Sequence, residues 1–128
     1  MITFTQLKLS DSVMKAINNM GFEETTPIQE QAIPVALAGR DVLGIAQTGT
    51  GKTAAFTLPL IDRLAKGRAR ARMPRALVLA PTRELADQVA SSFEKYAKGT
   101  KLTWVLLIPL DYLWWVALGE LSLPAFLL

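Results

Sequence analysis

The 128-residue chain contains neither cysteine nor histidine. That excludes disulfides, thiolate or imidazole metal sites, and proton transfer through an imidazole. Any chemistry must come from Lys, Thr, Gln, Asp, Glu or Arg. The first residues, Met1-Ile2-Thr3-Phe4-Thr5-Gln6, lack a charged start followed by an apolar stretch, so no secretory leader is expected and the cytoplasm is the expected location. Basic residues are missing altogether after Lys101. The length suits one small domain and cannot accommodate two.

Charge divides the chain. Fourteen basic and nine acidic residues lie at or before Lys101, a net of +5, while the remainder carries only Asp111 and Glu120. A mildly basic body is compatible with a polyanionic partner. From Leu102 onward there are ten leucines and all three tryptophans, a composition unlike the rest.

Ser10 or Asp11 can cap a helix that carries Val13, Met14, Ile17 and Met20 at helical spacing, with Gly21 ending it. Thr26-Pro27 opens a second helix through Ile28, Ala32 and Ile33, which Pro34 should kink or restart and Gly39 should stop. Residues 41–46 and 76–80 read as buried parallel strands, each followed by a helix, from Lys52 to about Leu64 and from Arg83 to about Lys98. Strand, helix, strand, helix predicts an α/β domain in three layers, a parallel sheet with helices on both faces joined by right-handed crossovers.

Between the first strand and its helix lies Ala46-Gln47-Thr48-Gly49-Thr50-Gly51-Lys52-Thr53, a phosphate-binding loop of Walker A type. Gly49 and Gly51 leave room for backbone N–H groups to turn toward phosphate oxygens at a helix N-terminus. Lys52 would reach the β- and γ-phosphates, and the Thr53 hydroxyl would ligate Mg²⁺. Ala46 stands where glycine is usual.

With alanine opening the loop, A-Q-T-G-T-G-K-T resembles the form found in DEAD-box RNA helicases. Two further segments agree. Gly21-Phe22-Glu23-Glu24-Thr25-Thr26-Pro27-Ile28-Gln29 resembles the family's Q motif, with Phe4 seventeen residues before Gly21 where the family carries an isolated aromatic. Pro81-Thr82-Arg83-Glu84-Leu85-Ala86 resembles motif Ia. The resemblance implies a partial RecA-like P-loop domain over residues 1–108, with the Q motif at about 4–30, Walker A at 46–53 and motif Ia at 81–86. It also implies ATP and Mg²⁺ as cofactors and RNA as partner, with no membrane attachment expected. Gln29 would hydrogen-bond the adenine edge, Phe4 would pack on the adenine ring, and Pro81, Thr82 and Arg83 would meet the RNA sugar-phosphate backbone. Simpler roles stand beside these. Thr26-x-x-Gln29 also fits a capping box, Phe4 a core anchor, and Arg83-Glu84 a solvated helix face. The arginines at 68, 70, 72 and 75 read as a solvated connector, because no aromatic is interleaved with them.

The family's Asp-Glu-Ala-Asp motif has no counterpart, since no Asp-Glu pair occurs in the chain. Val105 to Asp111 is the nearest run, but Pro109 interrupts it and Tyr112 follows where Glu is needed. A truncated helicase portion that lacks its own helicase activity is therefore expected. The alternatives are a non-catalytic nucleotide- or RNA-binding module, and a protein anchored to a membrane by its tail. Residues 109–128 read as out-of-frame or replaced sequence, against a transmembrane segment or an apolar element completing a minimal fold.

Overall fold

A computed structural model describes residues 2–67 and 74–107. The expected division at residue 108, the apolar tail and the arginines at 68, 70 and 72 lie outside the described residues. By contact the chain falls into two compact units, Met1–Arg68 with Ser91–Leu102, and Ala69–Ala90 with Thr103–Leu128.

The first unit opens with a short 3-10 turn, Phe4–Leu7, followed by three helices, α1 (Asp11–Asn19), α2 (Pro27–Leu37) and α3 (Lys52–Lys66). Ser10 is the N-cap of α1, with extended dihedrals of φ −63° and ψ 157°. Val13, Ala16 and Ile17 form its buried stripe, while Met14 and Met20 are only half-buried. Gly21 ends it at φ 73°, its amide donating to the Asn18 carbonyl at 3.0 Å. The left-handed residue is the one glycine tolerates best, so this stop is written in the sequence.

Thr26 caps α2 and Pro27 takes the first helical position, where its missing N–H costs nothing. Pro34 does not interrupt the helix, which runs on to Leu37. It is exposed, so the pyrrolidine ring meets solvent while the buried face continues through Ala32 and Ile33. Gly39 then closes the helix at φ 81°, donating to Ala36 at 3.0 Å. Helix α3 buries Ala54, Ala55, Leu58, Ile61 and Leu64 along one side and packs on α2 and α1. The same helix carries Pro59 and the buried Asp62.

Helix α4 (Arg83–Ala97) starts at Thr82, whose hydroxyl accepts the Leu85 N–H at 3.2 Å. In the first unit α4 buries Phe93, Tyr96 and Ala97, and in the second Val89 and Ala90. Gly99 at φ 90° and the Thr100 amide, donating to Ala97 at 2.9 Å, end it.

The apolar runs read as buried strands differ from expectation. Among the described residues the only β pairing is an isolated antiparallel bridge between Thr3 and Glu24. Leu43 and Ile45 are 89% and 86% exposed, and Leu79 is 80% exposed. Residues 76–80 and 102–107 do alternate between half-buried and exposed, the period of two that a strand imposes on its side chains. A strand buried on both faces needs elements alongside and above it, and apolar composition alone cannot supply them.

Candidate nucleotide-binding site

The phosphate loop is held at several points, most of them through a side chain or dihedral of the motif itself. Gly51 is the N-cap of α3 and sits at φ 80°, while Gly49 sits at φ 81°. The Gly51 carbonyl accepts the Ala55 N–H at 3.0 Å, starting the helix. Thr50 Oγ1 donates to the Gln47 carbonyl at 2.6 Å and pins the middle of the loop. Lys52 Nζ donates to the Ala46 carbonyl, so the ammonium folds back across the loop entrance. Residues 47–49 and Lys52 are exposed, whereas Ala46, Thr50, Gly51 and Thr53 are half-buried.

A further fastening comes from Gln29, outside the loop. Its side chain is buried, with Oε1 accepting the Thr26 N–H at 3.0 Å and Nε2 donating to the Gly51 carbonyl at 3.2 Å. The capping reading and a link to the phosphate loop therefore hold together. Thr26 Oγ1 faces the start of α2 as the other arm of a capping box, but it is buried and falls short of a full hydrogen bond. Contact here is so close that a Cβ on Gly51 would lie 2.3 Å from Gln29 Nε2 and 3.2 Å from Thr26 Oγ1. At Gly49 a Cβ would meet nothing within 4 Å. Position 51 thus demands glycine for space as well as for conformation, and position 49 for conformation alone.

Phe4 is 2% exposed and stacks on Phe22, with ring centroids 6.5 Å apart and planes at 26°. Phe22, at 41% exposure, presents the accessible ring of the pair. Sequence reasoning singled out Phe4 and placed Phe22 only within its motif. The signal for Phe22 was its position next to Gly21, the left-handed residue that ends α1. The N-terminal segment is clipped to the Q motif by hydrogen bonds from Phe4 N to Glu23 O at 3.3 Å and from Thr25 N to Ile2 O at 2.9 Å. Thr25 Oγ1 adds a third, also to Ile2 O at 2.9 Å.

At the opposite end of α3, Asp62 is 1% exposed. Its Oδ1 accepts the Ser10 N–H at 2.7 Å and its Oδ2 the Lys66 ammonium at 2.8 Å. Burial pushes the carboxyl up, but the hydrogen bonds from Lys66 and Ser10 outweigh it and hold the group below its ordinary 3.8. No group of three or more metal-ligating side chains occurs among the described residues. Pro81, Thr82 and Arg83 are exposed at the start of α4 in the second unit.

A glycine-rich loop opening a helix, with a lysine folded back over the loop and a following threonine, defines a P-loop protein. Residues 26–111 match the DEAD/DEAH box helicase family, and the chain belongs to that family. It is 51% identical over 104 residues to the ATP-dependent RNA helicase DeaD of Haemophilus influenzae, covering 79% of this chain and 16% of the relative. It is 55% identical over 95 residues to the DEAD-box ATP-dependent RNA helicase CshA of Geobacillus kaustophilus, covering 74% of this chain and 20% of that protein. Among solved structures it is similar to the RNA helicase Prp28 of Chaetomium thermophilum bound to ADP. There the TM-score is 0.79 at 39% identity, over 92% of this chain and 30% of the other. A DEAD box protein from Methanococcus jannaschii gives 0.70 at 40% identity, over 80% and 27%. The fold is thus that of the RecA-like domain of DEAD-box helicases. The chain spans no more than a fifth of the length of these two curated relatives.

Proposed function

We propose that this chain is the nucleotide-binding portion of a DEAD-box ATP-dependent RNA helicase, and that on its own it binds Mg-ATP without unwinding RNA. The observation that carries the reading is the bond from Gln29 to the Gly51 carbonyl, which puts a base-reading amide directly behind the phosphate loop.

The chemistry follows from unused bonding capacity. An amide side chain has two donors and two acceptor sites, and Gln29 spends one of each on Gly51 and Thr26. One N–H and one lone pair remain, the pair that an adenine edge with N7 and N6 would satisfy. Phe4 and Phe22 form the aromatic wall for the ring. Ala46, Gln47, Thr48, Gly49, Thr50 and Gly51 line the phosphates, while Lys52 leaves the Ala46 carbonyl for the stronger, charged acceptor. The Thr53 hydroxyl makes no hydrogen bond among the described residues, and it fits Mg²⁺ as the single protein ligand to an ion otherwise held by phosphates and water. Bound there, the ion would neutralise phosphate charge.

Pro81, Thr82 and Arg83 are assigned to the RNA backbone. They are exposed at a helix start, and Thr82 keeps its O–H for donation while its oxygen caps α4. The parallel sheet expected from residues 41–46 and 76–80 belongs to this reading through the RecA-like fold. Hydrolysis is not assigned to the chain, because the sequence holds no Asp-Glu pair for the second metal contact. No helix among the described residues is long and apolar enough to cross a membrane.

Calorimetric titration of the purified chain with Mg-ATP tests the proposal. Binding that disappears in Lys52→Ala, with no RNA-stimulated phosphate release in either protein, is the expected result. The absence of binding to the unmodified chain would overturn the nucleotide reading, and Lys52-dependent turnover would overturn the assignment as a binding portion.

A further inference from the structure

The residues from Ile2 to Ser10 form a strap fastened at both ends. At one end, Ile2 and Phe4 bond to Thr25 and Glu23 of the Q motif, and Phe4 backs the accessible ring of Phe22. Leu7 and Leu9 are buried along its course. At the other end the Ser10 amide is held by Asp62, a buried carboxylate on the helix that begins with the phosphate loop. Helix α3 therefore touches the nucleotide site twice, directly at its N-terminus through Lys52 and Thr53, and indirectly near its C-terminus through Asp62 and the strap.

We propose that Asp62 is a positioning residue for the base-binding end of the site, setting the strap and hence the Phe4–Phe22 pair relative to the phosphate loop. The inference rests on the nucleotide reading given above. A buried carboxylate is costly to keep, and this one spends its two oxygens differently. The Lys66 contact joins neighbours on one helix, four residues apart, with the lysine side chain 60% exposed. The Ser10 contact joins residues 52 apart in sequence and fixes where α1 and the strap begin. Only the second can carry position to the Q motif.

The test separates base from phosphate. Affinities for ATP and for inorganic tripolyphosphate, both with Mg²⁺, are measured on the full chain, on Asp62→Ala and on Asp62→Asn. Asn keeps an oxygen for the Ser10 N–H and loses the charge together with the acceptor that Lys66 uses. In Asp62→Ala the ratio of ATP to tripolyphosphate affinity should fall about tenfold, the scale of one displaced hydrogen-bonded contact. Tripolyphosphate affinity should stay within about twofold, and Asp62→Asn should restore the ratio. Hydrogen exchange at the Phe4 and Thr25 amides should quicken in Asp62→Ala and not in Asp62→Asn, a readout that needs no nucleotide. Should Asp62→Ala fail to fold, Asp62→Leu fills the volume without an acceptor and takes its place. Equal losses for both ligands, or unchanged exchange at Phe4 and Thr25, would overturn the role of Asp62. Failure of the unmodified chain to bind ATP would instead overturn the nucleotide reading, with the exchange experiment still deciding whether Asp62 holds the strap.

Discussion

Gln29 donates from Nε2 to the carbonyl of Gly51 at 3.2 Å while its Oε1 accepts the Thr26 amide at 3.0 Å. One side chain thereby caps α2 and braces the phosphate loop. Gln29→Glu replaces the donor with an oxygen facing the carbonyl oxygen of Gly51. Two acceptors then face each other in a buried place, and the variant should lose about 1–3 kcal/mol of stability at neutral pH. Thermal unfolding followed against pH should show part of that loss recovered as the new carboxyl protonates. A melting temperature equal to that of the unmodified chain at pH 7 would contradict the bond.

The two loop glycines should respond unequally to alanine. At Gly49 only the left-handed dihedral is penalised, for about 1–2 kcal/mol. At Gly51 the same conformational cost is joined by a clash with Gln29 Nε2 at 2.3 Å, so Gly51→Ala should be the more damaging in denaturant titrations. Shortening the obstacle in a Gln29→Ala background should relieve part of the Gly51→Ala cost, a coupling of about 0.5–3 kcal/mol in a double-mutant cycle.

Asp62 sets an acid limit. Its folded pKa lies below the ordinary 3.8, so the charged form contributes stability that is present above that value and is lost as pH falls through the folded pKa. Stability curves should therefore steepen downward below about pH 3.8, and Asp62→Asn should flatten that limb. An identical acid limb in the two proteins would remove Asp62 from the account.

Leu43 is read from sequence as part of a buried strand and is 89% exposed in the structure. Leu43→Lys should change stability by no more than about 0.5 kcal/mol, as surface substitutions do. Ile33 provides the contrast. Ile33 is fully buried on α2, and Ile33→Ala should cost about 2–5 kcal/mol by chemical denaturation. Similar costs at the two positions would mean that Leu43 is covered.

What the sequence made legible was local. Gly21, Gly39 and Gly51 end or open helices at positive φ, and Thr26-Pro27 begins α2, because each device acts over three or four residues. The glycines and lysine of the phosphate loop belong to the same class. Contacts spanning long separations were not legible. Nothing near Asp62 announces that it will hold Ser10, and nothing near Gly51 announces that Gln29 will close on it. Phe4 could be singled out, yet its pairing with Phe22 depends on where the turn after α1 places that ring. Apolar runs leave their partners unnamed for a related reason. Leu43 and Ile45 carry the composition of a core strand, but burial is decided by what lies beside them.

The bond between Gln29 and Gly51 also frees the intervening chain from any duty of holding the two motifs at a set distance. The exposed Arg40-Asp41 segment lies within that closed span, and doubling the length of a flexible loop costs only about 0.6 kcal/mol. A peptide tag or a dye-bearing insertion placed there would leave both ends of the clamp where they are.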